Sequence, residues 1–232
     1  MLPVCRNKED LPKAVKMLEE YADSNGLPMR ICLVPESMVD EIKSLLGENS
    51  ETITDDAWSD YIYNAEAFAS LSGRKYNGQR NHINKFKKLY EGFVFSEISD
   101  ENVDRVKTFA ATFCQGNNDY EDMRDIEACA VVELFDYYKD AGMCGGIIEH
   151  NGKILALAIG YKIGDILYQH IEKALPSIEG SYQIIAQQFA LHFASDCKYI
   201  NREEDEGVEG LRRAKMANHP EFLIKKYVVS KG

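Results

Sequence analysis

Two hydrophobic periods alternate along the chain and divide it into elements. Leu11, Val15, Leu18 and Ala22 recur at helical spacing within residues 8–23, and Asn25-Gly26 stops that helix. Met29–Val34 is a short apolar run of the kind a buried strand shows. Pro35-Glu36 then opens a second helix through Leu46, with the proline early in its first turn. Trp58–Tyr63 alternates large and small residues as a strand does. This first part reads as β/α alternation.

Residues 74–90, RKYNGQRNHINKFKKLY, carry a helical stripe. At helical spacing Tyr76, Ile83, Phe86 and Tyr90 fall on one side, within about 80° of one another. Arg74, Asn81, Lys85 and Lys88 fall on the other, Arg80 and Lys87 flank the stripe, and Gly78 weakens the first turn. After Gly92 the pattern predicts a strand at Phe93–Ile98. Asp100 is placed to cap a helix from about 101 to 114, and a second helix runs from about 121 to 140. Cys144–Glu149 and Ile154–Tyr161 flank Asn151-Gly152, the strongest short hairpin signal in the chain. Gly164-Asp165 turns into a third strand, Ile166–Lys173. A helix at Gly180–Ala194, a short strand at Lys198–Asn201, a helix at Gly207–Ala217 and a last strand at Phe222–Val229 complete the order. There is no internal repeat and no low-complexity linker.

From residue 93 the order is β-α-α-β-β-β-α-β-α-β, the order of the GNAT acyltransferase fold. The expected class is therefore α+β with a mixed sheet: a GNAT-like domain over 91–232, preceded by a partial second GNAT-like half over 1–90 that ends in the basic helix. In that fold the fourth and fifth strands splay apart. Here the gap is expected between residues 170–174 and 198–202, and the N-terminus of the helix from Gly180 offers backbone donors beside it.

Composition narrows the function classes. The 232 residues carry a formal charge of −11, yet residues 74–90 hold six Lys or Arg and no acid, so the rest stands at −17. The acidic balance argues against general nucleic-acid coating, which needs a basic domain, and leaves room for a single local basic site. No apolar run approaches the roughly 18–20 residues of a membrane helix, and the first residues lack a signal-peptide core. Six cysteines without any C-x-x-C pair, and no metal-ligand spacing, argue against zinc and against a disulfide framework. A cytoplasmic protein with reduced thiols is expected. The phosphate-loop, dinucleotide, nucleophile-elbow and zinc-protease motifs are all absent.

Three blocks, LSGRKYNGQRNHINKFKK, IEKALPSIEGSYQIIAQQFA and YINREEDEGVEGLRRAKMANHPEFLIKKY, resemble the phosphatidylglycerol lysyltransferase C-terminal domain-like proteins, in particular their soluble bacterial branch. The likeness covers roughly residues 1–230. It implies two tandem GNAT-like halves and transfer of an acyl or aminoacyl group to an amine or hydroxyl. Aminoacyl-tRNA is the implied donor, acetyl-CoA the alternative, and no tightly bound cofactor is implied. The acceptor would be a small molecule or a lipid headgroup, although no membrane segment accompanies it. Relatives carry further residues before the position of Met1, so the first half is expected to lack its opening elements.

The resemblance also suggests where the chemistry sits. Acetyl-CoA-dependent GNAT enzymes wrap pyrophosphate in a Q/R-x-x-G-x-G/A loop. The matching stretch, Ser177–Tyr182, keeps only Gly180 and adds Glu179, whose charge opposes a pyrophosphate. Gly180, Ser181, Tyr182 and Lys215 are the expected donor contacts. Glu172, Asn201 and Glu203 are the expected reacting centre, Glu172 because strand alternation puts it on the open face with His170 and Tyr168. Arg74, Tyr76, Arg80, Asn81, Lys85 and Arg212 are the expected substrate or phosphate contacts. Transfer from an ester needs little acid–base help, so positioning and oxyanion stabilisation would carry the rate. Each feature also has a plainer reading: a turn glycine at 180, a solvated acidic loop at 203–206, salt-bridged helix faces at 85 and 212. The competing function is a binding module without catalysis, its basic helix docking RNA or another anion.

Overall fold

A computed structural model describes residues 1–114 and 130–232. In chain order the first elements are α1 (Leu11–Ser24), β1 (Arg30–Pro35), α2 (Val39–Leu46), β2 (Glu51–Thr54), β3 (Asp60–Asn64), α3 (Ala65–Ser70) and α4 (Asn77–Leu89). Then come β4 (Val94–Glu97), α5 (Val103–Ala111), a helix through 130–137 (α6), β5 (Cys144–His150), β6 (Lys153–Ile163) and β7 (Ile166–Ala174). The last are α7 (Ser181–Phe193), β8 (Tyr199–Asn201), α8 (Glu209–Met216), β9 (Phe222–Ile224) and β10 (Lys226–Ser230). The start of the helix expected from 121 lies outside the described residues. None of the described helices is long and apolar enough to cross a membrane.

The described residues form two compact units: Met1–Tyr61 with Glu204–Ala217 and Phe222–Gly232, and Ile62–Glu203 with Asn218–Glu221. In the first, β10 lies between β1 and β2 and is antiparallel to both, with Ile31 opposite Val229 and Tyr227 opposite Thr54. Leu11 and Val15 of α1 and Ile42 and Leu46 of α2 close over Ile31, Val34 and Val229 to make its core. The expected last strand therefore breaks at Lys225. Val229 is fully buried while Phe222 and Leu223 are exposed, so only the second half carries a core face. β2 was not foreseen, because all four of its side chains are exposed and no alternation marks an edge strand of that kind.

In the second unit β4, β5, β6, β7, β8 and β3 lie side by side in that order. The first three contacts are antiparallel, as the hairpin signals require, and β7–β8 is parallel. One face packs Ile147, Leu157, Ile159 and Ile171 against Val106 and Phe109 of α5 and Val131 and Phe135 of α6. The other face lies under α7, whose Ile184, Ile185 and Phe189 are fully buried. The start of α5 differs from expectation. Asn102 precedes it and ties the turn by accepting from Ser99 N at 2.9 Å and donating to Glu97 O at 2.9 Å, while Asp100 pairs with Lys139.

The predicted stripe on the basic helix holds. Tyr76, Ile83 and Phe86 are buried, and Tyr90 stacks on Phe86 with ring centroids 4.9 Å apart. The same helix explains Gly180. Its φ is +82°, and a Cβ there would stand 2.5 Å from the His82 carbonyl oxygen and 3.0 Å from Phe86 Cβ. Only glycine lets α4 and the start of α7 approach so closely.

Candidate active site

β7 and β8 pair only at Ile166–Tyr199, Leu167–Ile200 and Tyr168–Asn201. β7 continues to Ala174 against β6, but β8 has ended at Asn201. A gap in the pairing thus opens beside residues 169–174; residues 199–201, expected to stand across it, pair with residues 166–168 instead.

Inside β7 the register slips. Gly160 lies opposite Gln169 and Ile159 opposite Ile171, so His170 is an extra, bulged residue. Gly160 permits it: a Cβ there would fall 1.9 Å from the Tyr168 carbonyl oxygen. The bulge overturns the alternation argument. Tyr168 lies opposite Tyr161 and Ile171 opposite Ile159, on the α5 side. Gln169 and Glu172 lie opposite Gly160 and Ala158, on the α7 side, and Gln169 Nε2 donates to the Glu172 carboxylate. Glu172 therefore does not share a face with His170 and Tyr168.

On the α7 side Glu172 receives Arg202 at 2.7 Å, both side chains being largely buried. The guanidinium carbon lies 5.5 Å from the Phe68 ring centroid and 5.9 Å from that of Tyr63, a geometry that favours a cation over aromatic faces. Burial alone would push the Arg202 pKa down; Glu172 and the Tyr63 hydroxyl outweigh it and hold it up. Tyr182 stands at the first turn of α7, its phenol near the Ala174 backbone and the Glu172 charge. Burial, only partly offset by the Ala174 backbone hydrogen bond, raises its pKa.

On the α5 side both carboxylate oxygens of Glu203 lie 2.9 Å from His170 Nδ1. Glu203 adopts φ +56°, a conformation that costs a non-glycine residue about 1–2 kcal/mol. The buried Asn201 offsets this by accepting from Glu203 N at 2.7 Å. Tyr161 and Tyr168 stack at 5.0 Å with planes 5° apart, and the His170 ring stands edge-on to Tyr161 at 6.4 Å.

The other expected contacts go elsewhere. Arg80 donates to the carbonyls of Leu71 and Gly73, the latter at 2.8 Å, and to Asn77 Oδ1; it ties down the turn after α3. Lys85 pairs with Glu179 at the exposed end of the Ser177–Tyr182 loop, so the acid expected to repel phosphate is itself neutralised. Ser181 is buried and donates to Ile178 O at 2.7 Å. Tyr76 is buried against His219. Arg74 and Asn81 are exposed on the basic helix.

In the first unit Arg212 is committed to Asp205, with Nε 2.7 Å from Oδ2 and Nη2 3.1 Å from Oδ1. Asp205 is fully buried and also accepts from Tyr61 at 2.5 Å and Gly207 N at 2.9 Å. Burial alone would raise its pKa, but these donors hold it down at about 2, while burial and Asp205 push Tyr61 up to about 12. Lys215 is buried, donates to the Glu204 carbonyl and lies 5.7 Å from the Tyr61 ring centroid. Among the described residues no three His, Cys, Asp or Glu converge as a metal site.

Sequence reasoning missed Arg202, Gln169 and His170. Arg202 had a signal: it is the one base in NREEDE, directly after the fifth strand of the expected gap. Gln169 and His170 had none, because the slip that exposes them depends on a glycine one strand away.

A mixed sheet with a splayed parallel pair, and a helix packed beside the splay, defines a GNAT-like acyltransferase fold. The family described as "Phosphatidylglycerol lysyltransferase, C-terminal" matches residues 1–230, and the chain belongs to it. A conserved protein of unknown function from Bacteroides thetaiotaomicron superposes with a TM-score of 0.88 at 33% identity, over 96% of this chain and 76% of that one. The C-terminal domain of a putative lysylphosphatidylglycerol synthetase from Agrobacterium fabrum shares the fold, with a TM-score of 0.70 at 13% identity over 97% of this chain and 75% of that one. An uncharacterised protein of Mycoplasmoides gallisepticum is 25% identical over 177 residues, 74% of this chain; the match spans 56% of that protein's length.

Proposed function

We propose that the protein transfers an aminoacyl group from an aminoacyl ester, aminoacyl-tRNA being the donor, to a hydroxyl or amine acceptor. Family and fold support acyl or aminoacyl transfer as the class. The observation that carries the reading is the gap beside Gln169–Ala174, with the Glu172–Arg202 pair on one side and His170–Glu203 on the other. An ester lying along the gap would meet the part of β7 beyond its last pairing with β8, at Tyr168–Asn201. Donors fixed in advance stabilise a developing oxyanion without reorganisation. Arg202 is a cation held over aromatic rings, suited to a donor phosphate or carboxyl oxygen, and Tyr182 supplies a hydroxyl near its partner Glu172. The Agrobacterium relative's name joins lysine to phosphatidylglycerol, which favours a hydroxyl of a lipid headgroup or of a small polyol as acceptor.

The test is a transfer assay with a set of charged tRNAs against phosphatidylglycerol vesicles and glycerol, run beside calorimetry with acetyl-CoA. Transfer from at least one charged tRNA, with no micromolar binding of acetyl-CoA, is expected. Absence of transfer for every pair, or tight acetyl-CoA binding with acetyl transfer, would overturn the reading.

A further inference from the structure

We infer that His170 is the general base of the transfer, taking the proton from the acceptor's nucleophile, with Glu203 and Asn201 as its positioning residues. This rests on the transfer reading above.

Three observations converge. First, His170 is the one residue the β6–β7 register leaves over, and its ring reaches Glu203 in the loop that follows β8. Second, an ionised carboxylate only accepts hydrogen bonds. Glu203, with both oxygens 2.9 Å from Nδ1, therefore fixes the ring as the Nδ1–H tautomer and makes Nε2 the basic nitrogen. Third, Glu203 occupies a left-handed conformation, and the buried Asn201 carboxamide accepts its backbone N–H at 2.7 Å. An acidic side chain held in that conformation by a buried amide, and aimed at a histidine, is the kind of strain that collects at functional sites. Amide, carboxylate and imidazole form one chain of orientation. Among the groups that face the ring are Glu203 from the loop after β8 and Tyr161 from β6, the latter stacked on Tyr168 of β7.

The step balances without any further reactant. The acceptor O–H or N–H gives its proton to Nε2 as the lone pair of its oxygen or nitrogen bonds to the acyl carbon. The bond from that carbon to the donor's ester oxygen then breaks, and the proton passes from Nε2 to the departing ribose oxygen.

Two measurements on the full chain separate this assignment from the reading it rests on. The ¹⁵N shifts of the His170 ring need no substrate. The Nδ1–H tautomer is expected in the wild type, with the Nε2–H form growing in Glu203→Gln; an Nε2–H wild type overturns the assignment. The second compares glycerol, whose hydroxyl needs a base, with hydroxylamine, a neutral nucleophile at pH 7, as acceptors of aminoacyl-tRNA. His170→Gln is expected to lower kcat toward glycerol by about 10²-fold and leave enzyme-dependent transfer to hydroxylamine within about threefold. Glu203→Gln is expected to lower kcat about tenfold at unchanged KM. Equal transfer to glycerol by wild type and His170→Gln overturns the assignment alone. A wild type that transfers to neither acceptor overturns the transfer reading and this assignment with it.

Discussion

Two carboxylate–guanidinium pairs, one made by Arg202 and the other by Asp205 three positions on, differ in what surrounds them. Asp205 is fully buried and accepts from Tyr61, from Gly207 N and twice from Arg212, so every lone pair has a donor. Such a group holds a loop to a helix and has nothing left to offer a substrate. Glu172 and Arg202 are also largely buried, but they stand where β7 has lost its neighbour, and the guanidinium rests on two aromatic faces. A buried ion pair is weak evidence of stabilisation, since desolvation offsets most of its Coulomb energy. What distinguishes the two is position: Asp205 sits among donors that tie a loop to a helix, whereas the Glu172–Arg202 pair stands beside the point where the β7–β8 pairing ends.

Substitutions can break or sharpen that contrast. The largest effect is expected from Asp205→Ala, which strands the Arg212 and Tyr61 donors and should cost about 3 kcal/mol in denaturant unfolding. Acid should reproduce part of it. The folded-state pKa of Asp205 is about 2, below its ordinary 3.8. A depressed pKa contributes stability that is complete above about pH 4 and lost as pH falls toward 2, amounting to about 2 kcal/mol by linkage. An Asp205→Asn variant with the same acid profile as the wild type would contradict this. Next in size, Glu172→Ala should cost about 2 kcal/mol by leaving Arg202 uncompensated. The double variant Glu172→Leu/Arg202→Leu should return to within about 1 kcal/mol of wild type while transfer stays at least about tenfold down. If the double variant keeps full transfer, the pair is a structural tie like the first. Smallest of all, Lys85→Ala removes an exposed pair with Glu179 and should change unfolding free energy by about 0.5 kcal/mol or less. A larger loss, or loss of tRNA binding, would give the basic helix a role that its partners do not suggest.

The strand order was legible because hydrophobic period and turn residues are local signals. Asn151-Gly152 and Gly164-Asp165 announced the meander, and the stripe Tyr76, Ile83, Phe86 announced which side of the basic helix is packed. The site was legible only in outline. The gap followed from strand order, but the partners of its residues depend on backbone that no window of sequence contains. Arg80 looked poised for a ligand, yet the carbonyls it satisfies belong to a turn nine and seven residues earlier. Arg212 looked available for phosphate because nothing in the sequence shows that Asp205 is buried and bonded to it. Glu172 was assigned its face by simple alternation, and the extra residue at 170 reversed it.

That extra residue has a consequence for which changes the lineage can tolerate. In a uniform strand a one-residue deletion exchanges the two faces of everything beyond it. In β7 the exchange is already built in, so deleting His170 would straighten the ladder yet leave Tyr168 and Ile171 on the side they now occupy. The fold should survive that loss better than it survives Gly160→Ala, whose added methyl has 1.9 Å to the nearest carbonyl oxygen. Paired length variation at 170, with larger residues at 160 accompanying the shorter strand, is therefore the mark that would separate scaffolds that kept this arrangement from those that gave it up.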